Sequence, residues 1–350
     1  MKLLMTADAV GGVWTYALEL ADALRPHGVE IALAVLGPPP DPARRESVRA
    51  RPNLVLHVGG WRLDWMPDAD ADQGPAGEWL LGLAERERAD LVHLNGYGHA
   101  ALPWRRPCVV VAHSCVASWW QAVHGTEPPS EWDAYRRRVA RGLAHAEAVV
   151  TPTRAFLERL ERLYGALPRA TVIHNARRAE PAAPAGPGVR APLVLACGRL
   201  WDAAKQMTVL DAAAATLPWR VYVAGSTRDP GTGAVFAPGH VECLGELAPG
   251  ELAGWYARAA IFAHPARYEP FGLAPLEAAA AGCALVLADL AELRELWDGA
   301  AEFFAPGDAA ALAARVQGLI ADPARRTALA LAARARARRF DAGAMARRYL

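Results

Sequence analysis

Residues 261–289 read "IFAHPARYEPFGLAPLEAAAAGCALVLAD". A β-type run, "IFAH", leaves through a loop carrying Pro270 and Gly272 into an alanine-rich stretch, and a second apolar run, "ALVLA", follows. Gly272 stands just ahead of the alanine-rich stretch and Pro275 in its early turns, where a helix tolerates proline. Strand, helix and strand in so short a span form a βαβ unit, and the two strands of such a unit lie parallel.

The same alternation extends outward in both directions. Upstream, short β-type runs appear at "KLLMT", "VEIALAVL", "NLVLHV", "DLVHL", "CVVVA", "EAVVT" and "ATVI", separated by stretches such as "YALELADALRPHG" with apolar residues at helical spacing. Residues 176–192, "ARRAEPAAPAGPGVRAP", interrupt the pattern with prolines, glycines and alanines, as a linker does. It restarts at "LVLAC", "RVYVA", "VECL", "IFAH", "ALVLA" and "AEFF". The expected fold is α/β, with two Rossmann-like, doubly wound parallel-sheet domains over 1–175 and 193–325. They are expected to face each other across a cleft at the carboxyl edges of their strands, where ligands of such folds bind. The arginine-rich end from Asp322 onward reads as helices, and 326–350 is expected to be a helical tail able to cross back to the first domain.

Composition excludes several classes. A chain of 350 residues exceeds one ordinary core, since domains run to about 100–200 residues. With 53% hydrophobic and 21% charged residues it is globular rather than disordered or fibrous. A formal net charge of +1 supplies no field for steering polyanions, which argues against a nucleic-acid partner. Five scattered cysteines, Cys108, Cys115, Cys197, Cys243 and Cys283, form no CxxC pair, so neither a disulfide framework nor a zinc site is expected. They read as buried thiols. The apolar opening "MKLLMTADAV" is too short for a signal sequence, and no run reaches the roughly 18 apolar residues of a membrane span, so a cytoplasmic protein is expected.

Glu269 and Glu277 stand eight positions apart, the first in a loop and the second on the helix that follows. They therefore do not stack on one helical face, and can flank whatever rests on the helix N-terminus. Free backbone N–H groups there favour an anion by about 0.3–1 kcal/mol, rising to ~2 kcal/mol when partly buried, and Gly272 lets the anion approach. A ligand with phosphate in the middle and a diol at each end fits, because each carboxylate can accept two hydroxyl hydrogen bonds. That describes a nucleotide sugar.

Further elements converge on the same ligand. "ACGRLWDAAKQ" follows the first strand of the second domain and supplies Arg199 and Lys205, the latter one of only two lysines in the chain. An ammonium beside a guanidinium suits a diphosphate that gains charge as it leaves, and with these cations in place no metal or other cofactor is expected. Gly11 and Gly12 lie between the first strand and its helix, a second place for backbone to meet phosphate, while the GxGxxG of a dinucleotide site is absent. His113 ends the strand "VVVAH". Trp14, Trp119 and Trp120 could stack on an acceptor, the remaining tryptophans of the first domain reading as core. The basic run "YRRRVARGLAHAE" reads as a solvated helix face in preference to a surface for anionic lipid.

Taken together, "AVGGV", "VHLNGY", "VVAHSC", "AEAVVTPTRAFLERL", "VIHNA", "GRLWDAAKQ" and "ARYEPFGLAPLEAAAAGCALVLAD" resemble the motifs of family 4 glycosyltransferases, retaining enzymes of GT-B fold that use nucleotide sugars. The resemblance covers most of the chain, and the E-x7-E pair is its most specific part. It implies that Glu269 bonds the donor sugar, Glu277 the ribose, Arg199 and Lys205 the diphosphate, and His113 the sugar near its 6-hydroxyl. Phe271, Gly272 and Leu273 would form the donor-binding turn, and Gly12 would carry the loop approaching phosphate and acceptor. The chain departs from the family in "VIHNA", where His174 and Ala176 replace a usual proline and glycine, and in "LAELRELW", where a glycine pair and Pro-Glu are common. The activity implied is transfer of a hexosyl group from a UDP- or GDP-sugar to a small-molecule or glycan acceptor, with His113 and Glu269 catalytic. Epimerisation or hydrolysis of the nucleotide sugar is the alternative within the fold. A non-catalytic sugar-nucleotide binder is disfavoured, because His113, Arg199, Lys205 and Glu269 all serve the leaving-group region.

Overall fold

A computed structural model of the chain describes residues 1–66, 68–177, 190–229 and 232–350. Most of the expected linker, 178–189, lies outside the described residues. The chain divides into two compact units, Met1–Ala176 with Ala342–Leu350, and Arg177–Asp341.

In the first unit seven parallel strands lie in the order β3-β2-β1-β4-β5-β6-β7. They are β1 (Lys2–Asp8), β2 (Glu30–Leu36), β3 (Leu54–Val58), β4 (Leu91–Leu94), β5 (Cys108–Val111), β6 (Ala148–Thr151) and β7 (Ala170–Val172). The second unit has six, in the order β10-β9-β8-β11-β12-β13 and again all parallel. These are β8 (Ala191–Cys197), β9 (Arg220–Ala224), β10 (Glu242–Gly245), β11 (Ala259–His264), β12 (Ala284–Ala288) and β13 (Glu302–Phe304). All thirteen β-type runs of the sequence become strands. Their near-continuous apolar character follows from burial on both faces of a parallel sheet.

Successive residues of a strand point to opposite faces, so each sheet supports two cores. Leu3 and Met5 of β1 join one core with Tyr16, Leu20 and Met345, while Leu4 joins the other with Leu80 and Leu83 of the helix Asp70–Arg86. In the second unit Leu193 and Leu195 face Phe262, Leu276 and Trp297, while Val194 and Ala196 face Leu210, Leu312 and Val316. Four cysteines are buried as expected, and Cys243 is exposed, on the edge strand β10.

The end of the chain corrects the expected boundary. A division at 326 would cut the helix Pro323–Ala337, whose Ala333 and Ala337 lie with Phe340 in a core of the second unit. Only the helix Ala342–Tyr349 belongs to the first unit, where Ala342, Met345 and Ala346 pack into the core against Tyr16 and Leu20. No helix among the described residues is long and apolar enough to cross a membrane.

Candidate active site

The strand order of the second sheet reverses between β8 and β11, which are neighbours although two strands intervene in sequence. Ligands of doubly wound sheets bind at such a switch point, outside the carboxyl ends of the strands. The loops leaving β8 and β11 are the two that carry Arg199 with Lys205 and Glu269 with Gly272.

The β8 loop is built around Asp202. Its Oδ1 accepts from Ala204 N at 2.9 Å, capping the short 3-10 turn Ala203–Lys205, and its Oδ2 accepts from Arg199 Nε at 3.2 Å and Nη2 at 2.6 Å. Burial works to raise the Asp202 pKa, but the Arg199 guanidinium and the turn amide outweigh it and hold the carboxyl below its usual range. Lys205 lays its stem over Gly198, where an added Cβ would sit 3.7 Å from Lys205 Cδ.

Next to Lys205 the backbone enters the left-handed region at Gln206, φ 49° and ψ 42°. That conformation costs a non-glycine residue about 1 kcal/mol, and the buried Gln206 Oε1 finds no partner among the described residues to offset it. Gln206→Gly is therefore expected to raise stability by about 0.5–1 kcal/mol and leave nucleotide binding intact. Equilibrium urea denaturation checks this, and a destabilised variant would contradict it.

Lys205 and Glu269, 64 positions apart, meet directly: Lys205 Nζ lies 2.6 Å from Glu269 Oε2. His264, the last residue of β11, lies 3.0 Å from the same oxygen through Nε2. No described residue bonds Oε1. Burial alone would raise the Glu269 pKa, but Lys205 and His264 together hold it well below the usual carboxylate range. Burial pushes the His264 pKa down, keeping that imidazole neutral.

Gly272 is required twice over. Its φ of 89° belongs to the left-handed region, and an added Cβ would lie 3.1 Å from Pro275 Cγ and 3.4 Å from Glu269 Cγ. The helix Leu273–Ala281 that it opens has no side-chain cap, which leaves its first-turn amides for an anion. Glu277 sits on that helix with Oε1 2.9 Å from Arg177 Nε, and the Tyr256 hydroxyl is shared between Glu277 and Cys197. Phe271 departs from expectation. It is 4% exposed and meets Phe340 edge-on at 5.7 Å between ring centres, so it anchors the turn to the core and offers a ligand little surface. Leu273 is half-buried against the same core.

In the first unit the corresponding reversal falls between β1 and β4. Asp8, ending β1, accepts from Val10 N at 2.9 Å and Gly11 N at 3.2 Å, and Gly12 begins the helix Gly12–Leu24. Gly11 has φ −150°, an extended conformation open to any residue, and neither glycine is in the left-handed region. Asn95, just beyond β4, donates from Nδ2 to Thr6 O at 2.6 Å, which turns its Oδ1 toward His113 Nε2 at 2.9 Å. His113 therefore donates through Nε2, and the Tyr16 ring meets it edge-on at 4.5 Å. Burial, with His93 nearby, holds the His113 pKa down at about 3, so the imidazole is neutral. Tyr16 in turn donates to the Tyr349 hydroxyl at 2.6 Å, bringing the chain's penultimate residue into contact with the partner of His113.

Trp14 is only 6% exposed and packs in the core of the first unit, so its indole is used for packing and is withheld from an acceptor. Trp119 and Trp120 remain half-buried on the helix Val116–His124, edge-on to each other at 6.3 Å. The sequence reading passed over His264, Asn95, Asp202 and Arg177. Of these, Asn95 and Asp202 lie inside the motifs "VHLNGY" and "GRLWDAAKQ", and His264 is the single polar residue of the run "AAIFAH". No group of three or more His, Cys, Asp or Glu residues able to hold a metal ion occurs among the described residues.

Comparison with known proteins bears on both units. Residues 10–180 match Glycosyltransferase Family 4, and 191–322 match Glycosyl transferases group 1. The D-inositol 3-phosphate glycosyltransferase of Xylanimonas cellulosilytica is 30% identical, the alignment covering 96% of this chain and 89% of that protein. Among solved structures, the sucrose-phosphate synthase of Thermosynechococcus elongatus superposes with a TM-score of 0.78 at 20% identity, over 100% of this chain and 97% of that one. HepE of Anabaena, in complex with UDP and glucose, gives a TM-score of 0.78 at 18% identity, over 100% and 98%. These two likenesses bear on the fold, which is GT-B, and the near full-length identity to the first relative bears on the activity. With a family match on each unit, the chain is a glycosyltransferase and belongs to glycosyltransferase family 4.

Proposed function

We propose that the protein moves a hexosyl group from a nucleoside diphosphate sugar to an acceptor hydroxyl with retention of anomeric configuration and without a divalent ion. The observation that carries this reading is the junction of Lys205 and Glu269 at the β8/β11 switch point, with one carboxylate oxygen clamped and the other unclaimed among the described residues. An ammonium has three donors, so the contact with Glu269 leaves Lys205 two for a diphosphate. Arg199 commits Nε and Nη2 to Asp202 and keeps Nη1 for the same group. Together with the helix N-terminus at Gly272 they supply the charge stabilisation a metal would otherwise give. Glu269 Oε1 accepts from the donor sugar, and Glu277 accepts from the ribose in exchange for, or beside, Arg177.

In the transfer step the bond from the anomeric carbon to the β-phosphate oxygen breaks and a bond to the acceptor oxygen forms on the same face. The acceptor proton passes to the departing phosphate oxygen. Both assigned glutamates are engaged with hydroxyls, so no protein nucleophile is used. Neutral His113 cannot neutralise charge as a cation at pH 7; it holds the sugar by hydrogen bonding, and this contact strengthens toward the transition state.

UDP- and GDP-hexoses are the donors to test, UDP-glucose first because HepE is seen with UDP and glucose. Cyclitol phosphates join small alcohols and glycans on the acceptor panel, given the name of the relative with 30% identity. The expected result is an α-linked product from an α-linked donor, formed equally well in EDTA, with His113→Ala lowering kcat/KM while the nucleoside diphosphate still binds. A β-linked product would refute retention. Activity lost in EDTA and restored by magnesium or manganese would refute metal independence. Donor consumed at the same rate without acceptor would favour hydrolysis or epimerisation.

A further inference from the structure

His264 is out of place by every ordinary measure. The other five residues of β11, Ala259, Ala260, Ile261, Phe262 and Ala263, are apolar and buried, and His264 at the end of the strand is itself 1% exposed. Its ring stacks on Phe262 at an interplanar angle of 16°. Nε2 has Glu269, while Nδ1 is buried with no partner among the described residues. A buried polar atom without a partner destabilises a fold, and an aliphatic side chain at this position would avoid that cost. What only the histidine supplies is the second donor on Glu269 Oε2.

We propose that His264 is a positioning residue for Glu269, its Nε2–H fixing Oε2 opposite Lys205 so that Oε1 stays turned toward the bound donor sugar. With Lys205 alone, the carboxylate has one anchor on a flexible four-carbon stem and can rotate about its terminal torsion, which is broad for Glu. The second anchor comes from the end of a central strand, a rigid origin. Two donors from two different segments on one oxygen set the plane of the carboxylate, so Oε1 presents its lone pairs in one direction. The charged groups around His264 are Glu269 and Lys205: burial, and after it the ammonium, disfavour a positive charge on the ring, against the carboxylate, which favours one, and the balance lies on the neutral side. The neutral, Nε2-protonated tautomer is the one that fits both neighbours. The inference rests on the reading that Glu269 accepts from the donor sugar.

The test compares His264→Leu, which removes the donor at similar volume, with His264→Gln, whose side-chain amide reaches about as far as Nε2 and restores an N–H. The protein is titrated with UDP and UDP-glucose, and with GDP and GDP-mannose, and transfer is assayed with the donor that binds. His264→Leu is expected to bind the free diphosphate within about twofold of the parent while kcat/KM for transfer falls about 10- to 100-fold, and His264→Gln to recover most of that loss. An unchanged kcat/KM in His264→Leu, or equal losses in the two variants, overturns the proposal. A second readout needs neither donor nor a folded leucine variant. The imidazole nitrogen NMR spectrum of the parent should contain a neutral, Nε2-protonated signal at about pH 7 to 8 that begins to titrate only below the ordinary histidine pKa of about 6.5 and disappears in His264→Gln. A His264 that is charged or Nδ1-protonated at neutral pH overturns the proposal on its own. Failure of every nucleotide to bind the parent would instead count against the donor-site reading, and the spectrum would still decide the role of His264.

Discussion

Lys205→Met is expected to lower stability by about 3 kcal/mol, the lower end of what breaking a buried ion pair costs, and to weaken nucleoside diphosphate binding by roughly 10- to 150-fold. The lower end applies because Lys205 and Glu269 retain 17% and 14% side-chain exposure and His264 stays on Oε2. Methionine keeps the stem over Gly198, so the loss is one of charge rather than of packing. Acid sensitivity should invert as well. In the parent, Glu269 titrates below its unfolded value of about 4.3, so its contribution to stability is present above that pH and is lost as the pH falls toward the folded value. Without the ammonium, burial prevails and the folded-state pKa rises above the unfolded one, and the folded state then binds more protons than the unfolded state. The deficit of the variant is thus greatest near pH 7 and shrinks below about pH 5. Urea denaturation of both proteins across this range measures it, and a deficit that stayed constant or grew on acidification would refute the assignment.

The strands were legible because a parallel sheet buries both faces, and the resulting apolar runs cannot be hidden by side-chain chemistry. The E-x7-E segment was legible for a different reason: loop, Gly272 and helix are contiguous, so local rules place both glutamates. Pairings between loops were not legible. Lys205 reaches Glu269 only because β11 enters the sheet beside β8, past β9 and β10, and nothing in either loop encodes that order. Asn95 owes its role to the same kind of long-range placement, reaching Thr6 and His113 across the sheet, whereas Asp202 and His264 act on partners within five residues of themselves. Trp14 and Phe271 differ in the opposite sense: both are chemically suited to a ligand, and both are buried in a core. Trp14 stands with Ala17, Leu18 and Ala21 on the inward stripe of the helix Gly12–Leu24, a 3.6-residue pattern visible in the sequence itself. The helix Ala342–Tyr349 shows a similar stripe in Ala342, Met345 and Ala346, which says that it packs but not against which unit.

Gly225→Ala should be the most damaging single-methyl change around the site. Gly225 follows β9 and Gly198 follows β8, and the two backbones touch where the sheet opens toward the ligand loops. A Cβ on Gly225 would lie 1.8 Å from Gly198 O and 2.9 Å from its carbonyl carbon, and the φ of 136° is one that alanine rarely adopts. Neither obstacle can be relieved by a rotamer change, because both partners are main chain. Gly198 N is tied to Ala224 O at 3.0 Å and Gly225 N to Gly245 O at 2.8 Å, so separating the strands also strains the ladder. Backbone strain and overpacking together should cost about 3–5 kcal/mol. The displaced segment begins with Gly198 and Arg199 and ends at Lys205, so diphosphate affinity should fall even in whatever fraction remains folded. Gly318→Ala is the matched control: Gly318 is exposed within the helix Ala309–Ala321 with nothing within 4 Å of an added Cβ. There alanine should add about 0.5–1 kcal/mol of stability through helix propensity. Denaturation of the two variants beside the parent, with UDP and GDP titrations on each, separates the effects. A Gly225→Ala protein as stable as the parent would mean that the β8 and β9 ends are further apart than this close approach allows.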